Sequence, residues 1–249
     1  MGGVAGALII GSNLRAIGIA RSLGRRGVET WLLYRSGEDH SARASRYVRR
    51  AIRAPDGDSG SQRDELLAMA ARHRLEGWTL FPTDDEPAAM IAHEHEPLAT
   101  CFSFTSPGWD VFRYAYRKRL THIVAERIGI PYPWTRYPRT LLEVAELECP
   151  FPAVLKPDVK PEPNRFTLDK AWRANDRGSL LAAWNEAARL VGPSAVTLQE
   201  LIPGGGEAQY SFAALCQNGV ALATLVARRS RQYPRDFGHS WWRPSRPRR

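Results

Sequence analysis

Lys156 closes the apolar run Phe151-Pro152-Ala153-Val154-Leu155 and is followed by Pro157. A lone ammonium at the end of an apolar strand is costly unless an anion meets it. Without an anion, the same residue reads as a surface lysine at a strand end. Further along, Leu198-Gln199-Glu200-Leu201-Ile202 runs into Pro203 and the glycines Gly204, Gly205 and Gly206, with Glu207 behind them. Glycines let a ligand approach the backbone closely. A carboxylate there can accept hydrogen bonds from two ribose hydroxyls. Without a ligand, the stretch is a flexible hairpin loop.

Other constellations carry less chemistry. Gly11-Ser12-Asn13-Leu14-Arg15-Ala16 lacks two of the three glycines of a dinucleotide-binding turn. The second strand ends in Tyr34-Arg35 with no acid to hold a ribose, so a nicotinamide cofactor is a minor alternative. His93 and His95 stand two apart and point to different faces of a helix, which argues for a solvated helix end before Pro97 and against a metal site. There is no G-x-S-x-G elbow, no Cys/His nucleophile signature and no P-loop.

The chain has 249 residues, 43% hydrophobic and 24% charged, which excludes wholesale disorder and suits one large or two small domains. The run Ala7 to Ile10 is too short to cross a bilayer and no later run approaches 18 apolar residues, so no membrane partner is expected. Met1-Gly2-Gly3 lacks the basic start of a secretory signal. Cys101, Cys149 and Cys216 are far apart and odd in number, which fits a reduced, cytoplasmic setting and no disulfide framework. The formal net charge is +9. Residues 228–249 hold eight arginines and one acid, a net +7, and residues 1–227 only +2. The basic balance therefore belongs to the tail, where Trp241, Trp242 and the arginines offer a second alternative, nucleic-acid binding. The near-neutral body disfavours it.

These residues need elements to position them. Val4 to Ile10 and Val28 to Tyr34 read as strands around a helix at 14–26, a βαβ start. Helices at 63–74 and from Asp84 or Asp85 to about His95 alternate with strands at 78–81 and 101–104, which predicts an open α/β sheet over residues 1–106. A long helix over 109–128 with Pro107 at its opening follows. Then come strands at 134–137, 151–156, 170–174 and 196–201, with helices at 141–147 and 180–190. A hairpin of 209–217 and 220–228 turns at Asn218-Gly219.

In order along the chain, several stretches resemble the ATP-grasp superfamily, and within it carboxylate–amine ligases and the ATP-binding halves of carbamoyl-phosphate synthase. Gly11-Ser12-Asn13 with its helix is similar to the preATP-grasp domain, and Phe81-Pro82-Thr83-Asp84-Asp85-Glu86 to its later strand-loop-helix. Arg117-Lys118 ahead of Gly129-Ile130-Pro131, the strand Phe151 to Pro157, the pair Glu200 and Glu207 seven apart, and Arg228 to Pro234 follow in the family's order. The resemblance implies a preATP-grasp, Rossmann-like open parallel sheet at 1–106, an incomplete α+β ATP-grasp domain at 107–238, and an atypical Arg/Pro/Trp-rich tail at 239–249.

The resemblance also implies ATP as cosubstrate. Lys118 and Lys156 would meet its phosphates, the backbone of Glu200, Leu201 and Ile202 would read adenine, and Glu207 would hold the ribose. The family's reaction activates a carboxylate as an acyl phosphate for attack by an amine, so a small-molecule carboxylate and an amine are the expected partners. Oligomeric state is not legible. Two departures stand out. The segment 158–169, where the family often has a glycine-rich phosphate lid, has no glycine and two prolines, Pro161 and Pro163. The acidic Mg²⁺ ligands expected after the Arg228–Gly238 region do not appear in residues 239–249, so no metal ligand is assigned. The expectation is a C-terminal truncation, of the kind a frameshift gives, that leaves a sheet edge uncovered and impairs turnover.

Overall fold

The computed structural model describes residues 5–35, 37, 41–54, 57–158, 164–233, 237 and 239–244, and divides into two compact units, Met1–Thr121 and His122–Arg249. In the first unit, β1 (Ala7–Ile10) is buried along its whole length. Such a run suits a central parallel strand covered on both faces. Asn13 caps α1 (Leu14–Gly24), its side chain accepting from the Arg15 and Ala16 N–H groups. β2 (Thr30–Tyr34) pairs parallel with β1, and β3 (Val48–Arg53) parallel with β2. Asp58 caps α2 (Ser59–His73), which therefore starts one turn earlier than its apolar pattern indicates. β4 (Thr79–Pro82) pairs with the other edge of β1, giving the order β3-β2-β1-β4.

Period-two alternation splits the core. Leu8, Ile10, Trp31, Leu33 and Leu80 pack with Leu66 and Met69 of α2 and with Met90 and Ile91. Ile9 and Leu32 face the other way, onto Ala16 and Ala20 of α1. Beyond β4 come α3 (Asp85–His93) and α4 (His95–Ala99). The strand expected at 101–104 is a single parallel bridge, Thr79↔Ser103. It is tied by Gly77 N–H to Cys101 O and Ser103 N–H to Trp78 O before Pro107 ends the run.

The helix expected over 109–128 is two helices, α5 (Trp109–Tyr116) and α6 (Lys118–Arg127). Arg117 between them is extended, at φ −100° and ψ 113°. The Thr121 hydroxyl donates to Tyr114 O at 2.6 Å, satisfying a carbonyl that the break leaves without its helical partner. Gly108, not Pro107, holds the position before α5.

After α6, whose residues from His122 onward belong to the second unit, come β5 (Thr135–Arg136) and α7 (Leu141–Glu146). β6 (Ala153–Pro157), α8 (Arg165–Asp169), β7 (Trp172–Ala174), α9 (Arg177–Val191) and β8 (Val196–Glu200) follow. The sheet order is β5-β8-β6-β7, antiparallel throughout. Ala153, Leu155, Val196 and Leu198 pack on Phe166 of α8 and on Leu180, Trp184 and Ala187 of α9. An Asp176–Ser179 capping box starts α9.

A second antiparallel sheet holds β9 (Tyr210–Gln217), β10 (Val220–Tyr233) and β11 (His239–Pro244) in the order β11-β10-β9. Asn218 and Gly219 sit at φ 51° and 79°, as a type I′ hairpin turn requires. All eight residues of β9 are exposed, among them Tyr210, Phe212 and Leu215. Residues 239–244, for which the sequence indicates no element, form β11 against β10, Trp242 opposite Arg229. The prolines of the 158–169 segment, Pro161 and Pro163, lie outside the described residues, and α8 occupies most of its second half.

Candidate functional site

Alternation along β6 and β8 gives their sheet one apolar and one polar-lined face. With Ala153, Leu155, Val196 and Leu198 turned to the core, Val154, Lys156, Thr197 and Gln199 take the opposite face. Lys156 is half-buried, and its Nζ donates to Gln199 Oε1 at 2.7 Å. Gln199, 8% exposed, donates from Nε2 to Thr135 Oγ1 at 3.0 Å. The Thr135 hydroxyl donates in turn to Pro133 O at 2.8 Å.

Thr197 stands directly across the ladder from Lys156. Thr197 is 1% exposed, and its buried hydroxyl has no hydrogen-bond partner among the described residues. Leaving such a group unsatisfied costs about 1–3 kcal/mol.

β8 runs directly into the expected ligand loop. Glu200 clamps β5: its Oε1 accepts the Trp134 N–H at 2.7 Å, and its own N–H donates to Trp134 O at 3.0 Å. Its carboxylate therefore serves the fold. Leu201 N–H donates to Pro152 O at 3.0 Å. Ile202 is exposed, and its N–H has no partner among the described residues. Gly204 turns the chain at φ 113°. Glu207 lies in the turn Gly206–Ala208, and its carboxylate folds back over Gly205, where an added Cβ would sit 2.5 Å from Oε1. That carboxylate makes no ion pair or hydrogen bond among the described residues. The Glu207 backbone oxygen accepts from Arg228 Nε at 2.8 Å, and burial pushes the neighbouring Arg229 guanidinium down.

Lys156, Glu200, Leu201 and Ile202 therefore lie on paired strands or at their ends, and Glu207 follows on the same segment. Lys118 opens α6 in the first unit and is half-buried. Gln199, Thr135 and Thr197 escape motif reading. The alternation Val-Thr-Leu-Gln is the signal that marks their face, because polar residues at every second position of a buried strand imply a polar environment.

The βα turn of the first unit is occupied by its own side chains. Gly11 is at φ 110°, and a Cβ there would meet Thr83 Oγ1 at 2.1 Å. Asn13 caps α1 and its Nδ2 donates to Asp84 Oδ2 at 2.5 Å, while Arg15 pairs with Asp84 at 2.7 Å. Asp84 holds the cap position of α3 but makes no cap hydrogen bond, its carboxylate being turned to α1. A carboxylate at this helix start opposes a pyrophosphate there. In the 93–96 segment, His93 stacks on Trp109 at 3.8 Å, His95 meets Phe104 edge-on at 5.0 Å, and Glu94 pairs with Arg63 at 2.7 Å. Among the described residues no group of three or more His, Cys, Asp or Glu could hold a metal ion, and no helix is long and apolar enough to cross a membrane.

No protein-family model and no curated protein matches the chain. Solved structures do. The L-amino acid ligase from Bacillus licheniformis matches with TM-score 0.71 and 15% identity over 98% of this chain and 55% of that one. The biotin carboxylase domain of the Hydrogenobacter thermophilus 2-oxoglutarate carboxylase, in complex with MgADP, ADP and bicarbonate, matches with TM-score 0.60 and 14% identity over 97% and 63%. The carboxyaminoimidazole ribonucleotide synthase from Aspergillus clavatus, complexed with ATP, matches with TM-score 0.62 and 12% identity over 92% and 55%. The chain spans little more than half the length of these proteins. At that span, an open parallel sheet followed by an α+β unit, it has the fold of the ATP-grasp carboxylate–amine ligases.

Proposed function

We propose that this chain carries the nucleotide-binding part of an ATP-grasp ligase. The observation that carries the reading is the polar face of the β5-β8-β6-β7 sheet, where Lys156 stands beside the unsatisfied Thr197 hydroxyl and β8 delivers Ile202 and Glu207. A nucleotide supplies partners for the Ile202 N–H and the Glu207 carboxylate, which have none among the described residues. Lys156 meets its phosphates. The Ile202 N–H and the Glu200 carbonyl read the donor and acceptor edge of adenine, with Leu201 spacing them. The Glu207 carboxylate accepts from the ribose hydroxyls.

The reaction class is the one that the resemblance to carboxylate–amine ligases implies. In it, a carboxylate oxygen takes the γ-phosphoryl group and ADP leaves. An amine nitrogen then attacks the acyl carbon, and phosphate leaves with the carboxylate oxygen. Cationic side chains such as Lys156 stabilise charge on the transferring phosphoryl group. Mg²⁺ would supply charge that offsets the negative phosphates. The described residues hold no acidic cluster for it. For this chain the reading is therefore weak nucleotide binding, with ligase turnover dependent on Mg²⁺ ligands supplied from outside the described residues.

Calorimetric titration with ATP, with and without Mg²⁺, tests this. Lys156→Ala should weaken ATP binding about 10- to 100-fold, the loss of one or two charge-assisted hydrogen bonds. Equal affinity of wild type and variant refutes the assignment of Lys156. Absence of any binding at millimolar ATP refutes the nucleotide site.

A further inference from the structure

Where β1, β2 and β3 end, the first unit holds a small pit. Ile10 closes β1, Leu33 lies near the end of β2, Ala54 follows β3, and Leu66 of α2 and Met90 of α3 complete its apolar lining. In an open parallel sheet, ligands bind in the crevice outside the carboxyl ends of the strands, where the strand order reverses. Here the order reverses at β1, which has β2 on one side and β4 on the other. The enclosed space is about 20 Å³, room for one water-sized group such as a methyl.

The pit is bordered by both signs of charge. Arg35 follows directly on β2, and its side chain is only 20% exposed. Its guanidinium donates to Gln62 Oε1 of α2 at 2.5 Å and to the Glu86 carboxylate of α3. A guanidinium has five N–H donors, so these two bonds leave others for a ligand. Glu65 borders the same pit and is half-buried. Residues three apart on a helix are neighbours, so Glu65 stands beside the bond between Gln62 and Arg35. Its carboxylate nevertheless makes no ion pair or hydrogen bond among the described residues, because Arg35 is turned to Glu86, itself 72% exposed. A half-buried carboxylate left without a partner is costly, and a cation relieves the cost.

A ligand that suits this pit brings an anion for Arg35, a cation for Glu65 and a methyl-sized apolar group. An α-amino acid carries all three on one carbon. We infer that the pit binds a free small α-amino acid of about the size of alanine, its carboxylate on Arg35, its ammonium on Glu65 and its side chain on the apolar lining. The inference goes beyond the nucleotide reading and does not depend on it, since none of the nucleotide residues lines the pit.

The test is saturation-transfer NMR on the full chain without nucleotide, titrated with L-alanine, propionate and L-leucine. Propionate keeps the carboxylate and lacks the ammonium. L-Leucine keeps both head groups and carries a side chain too large for the pit. L-Alanine should saturate at about 1–10 mM, and propionate and L-leucine should bind about tenfold more weakly or worse. Glu65→Gln keeps the size of the side chain and breaks no contact of the fold. It should weaken L-alanine about tenfold and leave propionate unchanged. Arg35→Gln should weaken both ligands. Because Arg35 also ties α2 to α3, its urea midpoint is measured alongside, and the Glu65→Gln result decides the case if that midpoint falls. No saturation by L-alanine up to about 50 mM overturns the inference. So does propionate or L-leucine binding as tightly as L-alanine, or an unchanged L-alanine affinity in Glu65→Gln.

Discussion

Gly11→Ala offers a perturbation whose cost can be worked from the turn between β1 and α1. Gly11 sits at φ 110°, where an L-residue is strained by about 1–3 kcal/mol. The new Cβ would stand 2.1 Å from Thr83 Oγ1, inside any real contact distance, so something must move. Thr83 is 4% exposed, and its hydroxyl donates to Ile10 O at 3.0 Å and accepts from Asn13 Nδ2 at 3.2 Å. Displacing it breaks both bonds in a buried place, worth a further 1–3 kcal/mol or so. The expected total is about 2–6 kcal/mol, a large share of the roughly 5–15 kcal/mol that holds an ordinary domain. Urea unfolding followed by tryptophan fluorescence reads it, since Trp31 and Trp78 pack edge-on at 5.3 Å in the core of the same unit. Two companions isolate the contact. Gly27→Ala has φ 78° and nothing within 4 Å of the added Cβ, so it should cost only about 1–2 kcal/mol. In a Thr83→Ala background the collision is gone, and Gly11→Ala should lose about 1–3 kcal/mol of its penalty. If Gly11→Ala costs no more than Gly27→Ala, or if Thr83→Ala gives no relief, the close-approach reasoning is wrong.

Hydrogen bonds from Ser179, the backbone N–H first, hold the Asp176 carboxyl below its usual value. A depressed carboxylate stabilises the fold above its unfolded pKa of about 3.9 and loses that contribution as pH falls through the folded value. The stability gap between wild type and Asp176→Asn should therefore be open at pH 7 and close below about pH 3 in urea melts, and a gap that widens in acid would contradict the capping role. Among the thiols, burial pushes Cys101 and Cys149 up, Glu76 adding to the shift at Cys101 and Arg177 opposing it at Cys149, while Cys216 is exposed on β9. Maleimide at pH 7.5 should label Cys216 first, about tenfold faster or more, and equal labelling of all three would refute the burial of the other two.

The two sheets differ in how far local pattern reveals them. β1 and β2 are legible because a short apolar run buried on both faces needs no partner to be recognised, and Asn218-Gly219 announces its hairpin through the two positive φ angles it accommodates. β3 is not legible. Val48-Arg49-Arg50-Ala51-Ile52-Arg53 carries three arginines at a sheet edge, and pairing with β2 makes it a strand. The 109–128 helix reads as continuous because nothing in its apolar spacing marks Arg117, whose extended backbone turns the chain. β11 has no strand pattern of its own and exists by pairing with β10.

The candidate site divides in the same way. The sequence by itself determined the order of chemistry-bearing residues, Lys118, Lys156, Glu200 and Glu207, and the alternating strands that hold them, because residue type and period are local properties. Tertiary structure alone decided what those residues touch. It committed the Glu200 carboxylate to Trp134, laid Glu207 over Gly205, and joined Lys156 to Gln199 across 43 residues and Gln199 to Thr135 across 64. Cross-strand partners are set by register and sheet order, and those are fixed only when distant segments pack around a common core.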